Sequence, residues 1–365
     1  MTKRALITGI TGQDGAYLAK LLLEKGYEVY GTFRRVSSPN FWRLQYLGIF
    51  DKVNLVPCEL TDATSIFLTI KEIQPDEIYH LGAMSFVGAS FENPVTTFEI
   101  NTLGTLYILE AVRQILPDCK VYIACTSEMY GKAGREIIEK FKRALNENDP
   151  FKPVSPYAVS KLACYWLGCA YREAYGLYVV NGILFNHESP LRGLEFVTRK
   201  ISNWVAKYVL GIYREPIKLG NIEAKRDWGY APEYVYGIWQ MMQQKEPDDY
   251  VLATGELHSV KEFLIEALRV AQEMGYDVDP DKWQKYVVID KSLFRPLDVL
   301  EIAGDYSKAK QKFGWEPKTR FKELVKIMVQ EDIKRWQMWL SGEKFPWDAP
   351  QYPEEAKIIT KVIKV

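Results

Sequence analysis

Short apolar runs alternate with amphipathic stretches along the first half of the chain. The stretches carry large apolar residues at helical spacing, as at Leu18, Leu21 and Leu22. The apolar runs predict strands at residues 4–8, 28–33, 53–57, 77–81, 120–125 and 178–184. Strands that alternate with helices indicate an α/β protein, a Rossmann-like doubly wound parallel sheet with right-handed crossovers.

One helix has a well-marked start. Ser155 is a suitable N-cap, and Pro156 favours a first turn because its missing N–H would have no partner there. The other helices with clear signals are predicted from the N-cap Asp62 to Ile73, at about 94–114 and at about 321–339, and residues 131–154 are predicted to form a loop with a short helix.

Residues 9–15 read G-I-T-G-Q-D-G and stand between the first strand and a helix. Glycines at this spacing allow a tight turn and close approach of the backbone to a pyrophosphate, which the following helix N-terminus attracts. We predict a dinucleotide site, the alternative being a flexible turn. Arg34 and Arg35 stand where an acidic residue usually holds the ribose of NAD. The sequence therefore favours NADP, unless these arginines make subunit or surface contacts.

The strict alternation weakens beyond about residue 187. We therefore predict a cofactor-binding Rossmann domain at residues 1–186, to which residues of about 222–250 return, and a smaller α/β domain at 187–345 that binds mainly the substrate. The proline-containing extension at 346–365 is expected to lie on the surface or on a neighbouring subunit.

Tyr157 and Lys161 lie four residues apart in one predicted helix and therefore on one face. A nearby ammonium favours the phenolate, so we expect the pKa of Tyr157 to fall from about 10 and Tyr157 to act as a general base. Thr126 and Glu128 follow the fifth predicted strand and are expected at the same rim. The alternative is an ordinary surface helix, where tyrosine and lysine at this spacing are common.

Composition narrows the possible classes of function. Forty-seven basic residues balance 47 acidic ones, which argues against a general nucleic-acid or membrane-surface binder. No apolar stretch approaches the roughly 18 residues of a membrane span, and no signal sequence is recognisable, so we expect a cytoplasmic protein. Five cysteines and three scattered histidines favour reduced packing thiols and no metal site.

Segments spread over almost the whole chain resemble the extended short-chain dehydrogenase/reductase family and, within it, the GDP-mannose 4,6-dehydratases. They are residues 5–15, 34–35, 126–131, 181–190, 196–200, 219–221, 224–229, 253–256 and 294–296. The resemblance implies a lyase that converts GDP-mannose to GDP-4-dehydro-6-deoxymannose and water, with bound NADP as an internal hydride carrier.

The resemblance also assigns roles to residues. Tyr157, with Lys161 as its partner, would take the proton of the sugar 4-hydroxyl, near which Thr126 would hydrogen-bond, and Glu128 would remove the C5 proton and assist loss of the 6-hydroxyl. The cofactor-binding residues implied are Gly9, Thr11, Gly12, Gln13, Asp14, Gly15, Arg34, Arg35, Glu59, Leu60, Leu81, Ala83, Ser85, Tyr157, Lys161, His187 and Arg192. The substrate-binding residues implied are Ser85, Glu128, Asn186, Val197, Lys200, Leu219, Gly220, Arg226, Arg295 and Asp298. Arg199 and Lys225 are expected either to hold a phosphorylated ligand or to lie on solvated helix surface.

The sequence departs from the family pattern at several positions. Glu59 stands where aspartate is usual, Met84 and Phe86 replace commoner polar residues, and Asp298 is shorter than the usual glutamate. These changes leave open another GDP-sugar, such as a GDP-manno-heptose, a GDP-hexulose reductase or epimerase, and a catalytically silent NADP-binding scaffold. The resemblance further implies a homo-oligomer, either a dimer or a tetramer, with a small-molecule substrate as the other partner.

Overall fold

The computed structural model describes residues 2–38, 40–294, 297, 299 and 301–350. The strands are β1 (Arg4–Thr8), β2 (Glu28–Phe33), β3 (Asn54–Pro57), β4 (Glu77–His80), β5 (Lys120–Thr126), β6 (Val179–Leu184), β7 (Asn186–Glu188), β8 (Ile217–Leu219), β9 (Lys225–Arg226), β10 (Trp228–Tyr230), β11 (Asp249–Leu252), β12 (His258–Ser259) and β13 (Val287–Ile289). The helices are α1 (Gln13–Glu24), α2 (Trp42–Tyr46), α3 (Ala63–Ile73), α4 (Val87–Glu92), α5 (Pro94–Phe98), α6 (Gly104–Ile115), α7 (Lys132–Phe141), α8 (Pro156–Tyr175), α9 (Val197–Val209), α10 (Ala231–Met242), α11 (Val260–Glu273), α12 (Ser307–Phe313) and α13 (Phe321–Leu340).

Seven of these strands form one parallel sheet in the order β11-β6-β5-β4-β1-β2-β3. This confirms the doubly wound sheet that the alternating pattern predicts. The chain runs outward from β1 through β2 to β3 and then returns to the other side of β1 at β4. The loops after β1 and β4 therefore diverge at one edge of the sheet, and a crevice between such loops is where open α/β sheets bind ligands.

Apolar side chains of the central strands alternate between the two faces of the sheet. Ala5 and Ile7 belong to the core beneath α1 and α10, whereas Leu6 belongs to the core beneath α3, α6 and α8. Strand side chains alternate with a period of two, so a single buried strand contributes to both layers. The carboxyl ends of the strands are thereby held between two packed helix layers.

The second half of the chain contains a helical layer, in which α9, α11 and α13 pack on one another. Short strand pairs, β7 with β10, β8 with β13 and β9 with β12, connect this layer to the edge of the sheet. Strand β11 pairs with β6 in the main sheet and α10 packs against α1, so residues between these short pairs return to the first half of the fold. The boundaries of the two predicted domains stay a prediction.

A buried charge cluster joins α9 to α13. The Arg199 Nε lies 2.9 Å from both carboxylate oxygens of Asp332, and Nη1 of Arg199 and of Arg335 both donate to the carbonyl of Pro190. Arg199 also binds Asp348, in the described part of the C-terminal extension, next to the buried Trp347. These contacts fix the segment that precedes Arg192. Arg199 is therefore a structural residue and not a phosphate ligand.

Residues 131–154 contain the predicted short helix, as α7, within an otherwise irregular segment. Gly131 precedes it at φ 48°, and a Cβ there would lie 1.9 Å from the carbonyl oxygen of Lys152. Only glycine fits that position without a shift of the backbone. Leu145 at the far end of the segment pairs with Gly304, so the insertion is tied to the wall of the crevice.

Two further observations concern the described ranges only. None of the described helices is both long and apolar enough to cross a bilayer. All five cysteines are buried free thiols, and the described residues contain no group of three or more histidine, cysteine or acidic side chains placed to hold a metal ion.

Candidate active site

The glycine turn after β1 forms a backbone cradle. A Cβ on Gly9 would lie 2.8 Å from the Cα of Gly82, and a Cβ on Gly15 would lie 2.5 Å from the carbonyl oxygen of Gly9. Gly12 is the N-cap of α1 and offers no side chain to the N–H groups of the first turn. Those donors and the positive end of the helix dipole face a space that side chains do not fill, which suits a phosphate group.

The two polar residues of this turn bind the segment after β6. The Asp14 Oδ2 lies 2.8 Å from His187 Nε2, Gln13 Nε2 donates to the His187 carbonyl at 3.1 Å, and Ser189 Oγ donates to Gln13 Oε1 at 2.7 Å. These bonds connect residues more than 170 positions apart. The glycine turn therefore has a fixed position relative to the other side of the crevice.

His187 is held as a cation by its two partners. Its Nδ1 lies 2.7 Å from the Phe185 carbonyl, which only accepts, and its Nε2 faces the Asp14 carboxylate, so both ring nitrogens must donate. Burial lowers the pKa of His187, but the charge and hydrogen bond of Asp14 outweigh it and raise the pKa above the ordinary value. Burial likewise raises the pKa of Asp14, and the charge of His187 reverses that shift. The pair is a buried ion pair beside the phosphate cradle.

The loop after β4 is held from behind by Asn101, which lies in a π-helical turn (Glu99–Leu103) between α5 and α6. The Met84 N–H donates to Asn101 Oδ1 at 2.8 Å, and Asn101 Nδ2 donates to the Met84 carbonyl at 3.3 Å and to Ser160 Oγ at 3.0 Å. Such π-turns are often found at functional sites. Here the turn places one amide between the crevice loop and the helix that carries Tyr157.

The four predicted catalytic residues come from the end of β5 and the start of α8. Thr126 caps a 3₁₀ turn that carries Glu128, since its Oγ1 accepts from the Glu128 N–H at 3.3 Å. Ser155 caps α8 through the Ala158 N–H at 3.1 Å, as the sequence predicts. Lys161 Nζ donates to the Ala124 carbonyl at 2.8 Å. All four catalytic side chains are buried and line one space.

The expected fall in the pKa of Tyr157 does not occur in this arrangement. Burial raises the pKa of Tyr157 above its ordinary value, and a hydrogen bond from the Thr126 side chain offsets the shift only in part. The nearby Glu128 carboxylate raises the pKa further. The prediction from helical spacing was wrong because it counted one cation and left out the desolvation of the hydroxyl.

These groups open on a cavity of about 610 Å³ between the two halves of the fold. Of the residues assigned to the cofactor or substrate, those that line it are Gly9, Thr11, Gly12, Gln13, Asp14, Gly15, Leu81, Ala83, Ser85, Glu128, Tyr157, Lys161, Asn186, His187, Arg192, Val197, Lys200, Leu219, Gly220 and Arg226. The volume is of the size that a nucleotide or a small ligand requires. A single cavity therefore brings the glycine turn and the four catalytic side chains together.

Four assigned residues do not line the described part of this cavity. Arg34 and Arg35 follow β2 and are exposed, beside the turn after β1. Leu60 packs behind Gly82, and Glu59 precedes it without lining the space. Arg295 and Asp298, assigned to the substrate, lie outside the described residues.

The basic residues divide into two groups. Lys200 and Arg226 line the cavity, and burial lowers the pKa of Lys200 while the Asp290 charge partly restores it. A desolvated ammonium of this kind is stabilised by an anionic ligand. Arg199 instead lies in the buried cluster described above, and Lys225 binds Glu301 at 2.9 Å.

Several lining residues were missed by the sequence analysis. Phe86 meets Phe196 edge to face at 5.8 Å between ring centroids, and the Arg192 guanidinium lies 3.6 Å from the Phe196 centroid. Glu188 anchors this stack, since it lies 3.1 Å from Arg192 Nε and accepts from Thr198 Oγ1 at 2.5 Å. The signal available was weak: a polar residue directly after a buried strand, and one aromatic residue in each of two loops.

Comparison with known proteins gives consistent matches over nearly the full length. A sequence model of the family described as GDP-mannose 4,6 dehydratase matches residues 6–328. The chain is 46% identical over 351 residues to the GDP-mannose 4,6 dehydratase of Cricetulus griseus, with 91% of this chain and 92% of that protein covered. It is 43% identical over 360 residues to the GDP-mannose 4,6-dehydratase of Vibrio cholerae, with coverages of 92% and 95%. The solved Thermus thermophilus UDP-glucose 4-epimerase complex with NAD has a TM-score of 0.74 and 26% identity, with 90% of this chain and 98% of that chain covered.

The Asp14–His187 pair predicts a pH dependence of stability with a definite sign. Folding raises the pKa of His187, so the stability that its charge contributes is fully present below the unfolded pKa of about 6.5 and is lost as pH rises through the folded pKa. His80 has the opposite sign. Burial lowers its pKa to about 3, so its contribution grows as pH rises toward about 6.5.

The measurement is the free energy of unfolding in urea of wild type, His187→Gln and His80→Gln between about pH 5 and pH 8.5. The difference between wild type and His187→Gln should shrink with rising pH, while the difference for His80→Gln should grow. Asp14 does not interfere, because its lowered pKa puts its titration below this range. Parallel trends for the two variants would contradict the charged state assigned to His187.

Proposed function

The chain belongs to the GDP-mannose 4,6-dehydratase family, and we propose that it removes water from GDP-mannose to give GDP-4-dehydro-6-deoxymannose. The observation that carries the proposal is the shared cavity: Thr126, Glu128, Tyr157 and Lys161 open on the same space as the glycine turn. An acid/base group for elimination therefore lies beside the groups needed for oxidation of a hydroxyl.

We propose NADP as the cofactor. The cradle at Gly9 and Gly15, which a Cβ would fill, fits a pyrophosphate, and Lys161 lies where it can bind the nicotinamide ribose. The chemistry that NADP supplies when bound is reversible acceptance of a hydride, from C4 of the sugar and later to C6, without net consumption. Arg34 and Arg35 would hold the 2′-phosphate, because they follow β2 beside the cradle and are exposed.

Tyr157 would take the proton from the sugar 4-hydroxyl. Its raised pKa makes the free phenolate scarce at neutral pH, so the proton must leave as the C4–H bond breaks and the hydroxyl becomes acidic. Thr126, which hydrogen-bonds Tyr157, would orient both oxygens. Lys161 is held by the Ala124 carbonyl, and its ammonium would stabilise negative charge on the Tyr157 oxygen.

Glu128 would carry out the elimination. The C4 ketone acidifies the C5 hydrogen, so the Glu128 carboxylate removes that proton and then donates a proton to the departing 6-hydroxyl, which leaves as water. The net change is the loss of one water, with C4 oxidised and C6 reduced. The 3₁₀ turn and its Thr126 cap fix the carboxylate at the cavity wall.

The remaining lining residues suit the nucleotide half of the substrate. We propose that Lys200 and Arg226 bind the diphosphate and that Asn186, Val197, Leu219 and Gly220 surround the rest of the GDP group. Gly220 allows close approach there, since a Cβ would lie 2.9 Å from the Leu293 carbonyl oxygen. Ser85 lies on the opposite side of the cavity, in the loop shared with the cofactor.

A second candidate substrate is a larger GDP-sugar of the heptose type. The observation in its favour is the aromatic pair of Phe86 and Phe196, which puts an apolar wall where the family usually has a polar residue. A wall of this kind changes the size and polarity of the pocket without touching the catalytic groups. The reaction type is the same for both sugars.

We also propose that the protein forms a homo-oligomer through α8 and its neighbours. The ten residues from Leu162 to Tyr171 contain no charged side chain, and Trp166 is 58% exposed. Val95 and Phe98 on α5, which packs against α8, extend this exposed apolar face. A helix that is apolar on every side is normally covered, and a second copy presents the same apolar face.

The compartment we propose is the cytoplasm. All five cysteines are buried free thiols, a state that a reducing compartment maintains.

The dehydratase proposal predicts turnover without added reductant. Purified protein incubated with GDP-mannose should yield a product lighter by one water that carries a ketone, as measured by mass spectrometry and carbonyl trapping. Glu128→Gln should lower kcat by about 10²–10⁴, because the amide cannot accept the C5 proton. Glu173→Gln, at an exposed site near the end of α8, is the matched control and should retain wild-type activity.

Three results would redirect the proposal. If only a GDP-heptose loses water, the substrate assignment is wrong and the mechanism stands. If no GDP-sugar loses water while a GDP-hexulose consumes NADPH, the protein is a reductase. If no GDP-sugar reacts at all, the silent scaffold is the better account.

The cofactor proposal predicts selective loss of NADP affinity. Replacing Arg34 and Arg35 together by alanine should raise the Kd for NADP by at least about tenfold, because a charge-assisted hydrogen bond contributes about 1.5–3 kcal/mol. The Kd for NAD, measured on the same variant by calorimetry, is the internal control and should not change. Equal changes for the two cofactors, or no change, would contradict the assignment of these arginines.

The oligomer proposal predicts a difference between two tryptophans. Trp166→Glu should lower the mass measured by light scattering to that of the monomer, because a charge would be buried at the interface. Trp339→Glu, at a residue 45% exposed on α13, is the matched control and should keep the wild-type mass. A monomeric wild type, or an unchanged mass for Trp166→Glu, would overturn the proposed interface.

A further inference from the structure

A single carboxylate, that of Asp227, lies between β9 and β10 and is fully buried. Its Oδ1 accepts from the Thr254 N–H at 2.8 Å and from Thr254 Oγ1 at 2.6 Å. Its Oδ2 accepts from the Gly255 N–H at 2.8 Å and from the Gly304 N–H at 3.1 Å. Four donors from two distant segments therefore converge on one side chain.

Burial of an ionised carboxylate is costly unless hydrogen bonds replace its water. Burial raises the pKa of Asp227 to about 6, and the bonds from Thr254, Gly304 and Gly255 limit that rise, so the group is ionised at neutral pH. The donors have little freedom to move. A Cβ on Gly304 would lie 2.4 Å from the Ala253 Cβ and 2.5 Å from the Phe185 ring.

The strand geometry converts this anchor into a position for its neighbours. Successive side chains of an extended segment point to opposite faces. Asp227 points into the protein and Gly229, on the same face, packs against the Tyr234 ring, whereas Arg226 and Trp228 both line the cavity. Anchoring Asp227 therefore fixes which way Arg226 faces.

The donors are themselves part of the cavity wall. The turn at Thr254 and Gly255 follows β11, the strand beside β6, and Gly304 pairs with Leu145 at the end of the 131–154 insertion. The segments 224–229 and 253–256, which both carry the family resemblance, thus meet at this carboxylate. Asp227 holds together the side of the cavity that the diphosphate would contact.

We propose that Asp227 is a positioning residue for binding of the substrate diphosphate, which it serves by holding Arg226 toward the cavity through its bonds to Thr254, Gly255 and Gly304. The inference rests on the proposed binding of a GDP-sugar. It assigns Asp227 no contact with substrate, cofactor or reacting atoms. Its removal should therefore affect nucleotide affinity and leave the chemical step largely intact.

The test is calorimetric titration of GDP into wild type and Asp227→Asn, together with steady-state kinetics on the GDP-sugar that the wild type uses. The amide turns its N–H₂ toward groups that also donate, so the anchor is lost while size is kept. We expect the Kd for GDP and the KM to rise by at least about tenfold, with kcat within about threefold and the Kd for NADP unchanged.

Asp249→Asn is the matched control. Asp249 is also a buried carboxylate with several partners, Tyr165, Arg172 and Asn181, but it lies at the start of β11, away from the cavity. This substitution should lower the melting temperature and leave the Kd for GDP unchanged. The contrast separates a role in nucleotide binding from a loss of stability.

A second pair of variants serves if Asp227→Asn does not fold. Thr254→Val removes only the hydroxyl donor to Asp227 and should raise the Kd for GDP by a smaller factor, and Thr254→Ser should restore the wild-type value. An unchanged Kd for GDP in Asp227→Asn, or in Thr254→Val where that variant is needed, would overturn the inference. Failure of the wild type to bind GDP would instead overturn the proposed function, so the two failures are distinguishable.

Discussion

The cavity depends on the contact between two glycines at the point where the strand order reverses. Gly9 after β1 and Gly82 after β4 approach so closely that a Cβ on Gly9 would lie 2.8 Å from the Gly82 Cα. Any side chain at Gly9 would push apart the two loops that form the floor of the crevice. With both positions occupied by glycine, backbone N–H groups and the start of α1 face the space directly, which is what a phosphate-binding turn requires.

Buried charges keep the walls of this crevice in register. The Asp14–His187 pair connects the glycine turn to the segment after β6, the Arg199–Asp332 cluster holds Pro190, and Asp227 joins the segments after β9 and β11. Replacing a buried ion pair by apolar groups is often neutral for stability, so their number alone says little about the free energy of unfolding. What they provide here is geometry, because each has directional partners on two distant segments. The ligating side chains are then held before a ligand arrives.

Periodicity along the chain predicted the sheet, its direction and the start of α8, because strand and helix patterns are local and the sheet is buried on both faces. It could not predict how neighbouring basic residues divide. Arg199 and Lys200 are adjacent in sequence, yet the turn of one helix sends the first into a buried cluster and the second into the cavity. The pKa of Tyr157 was also beyond the reach of spacing, since it depends on burial by segments distant in sequence. Asp227 and Asn101 act through partners far away in the chain, and a polar residue on an otherwise buried face was the only trace of either.

The central claim is that one cavity moves a hydride from C4 to C6 of the same sugar while Glu128 eliminates water. The most direct measurement uses GDP-mannose with deuterium at C4, followed by mass spectrometry and NMR of the product formed in ordinary water. The account predicts that the deuterium is found on C6 of the 4-keto product, within the same molecule. Deuterium that is lost to solvent, or a product that still carries its 6-hydroxyl, would contradict it.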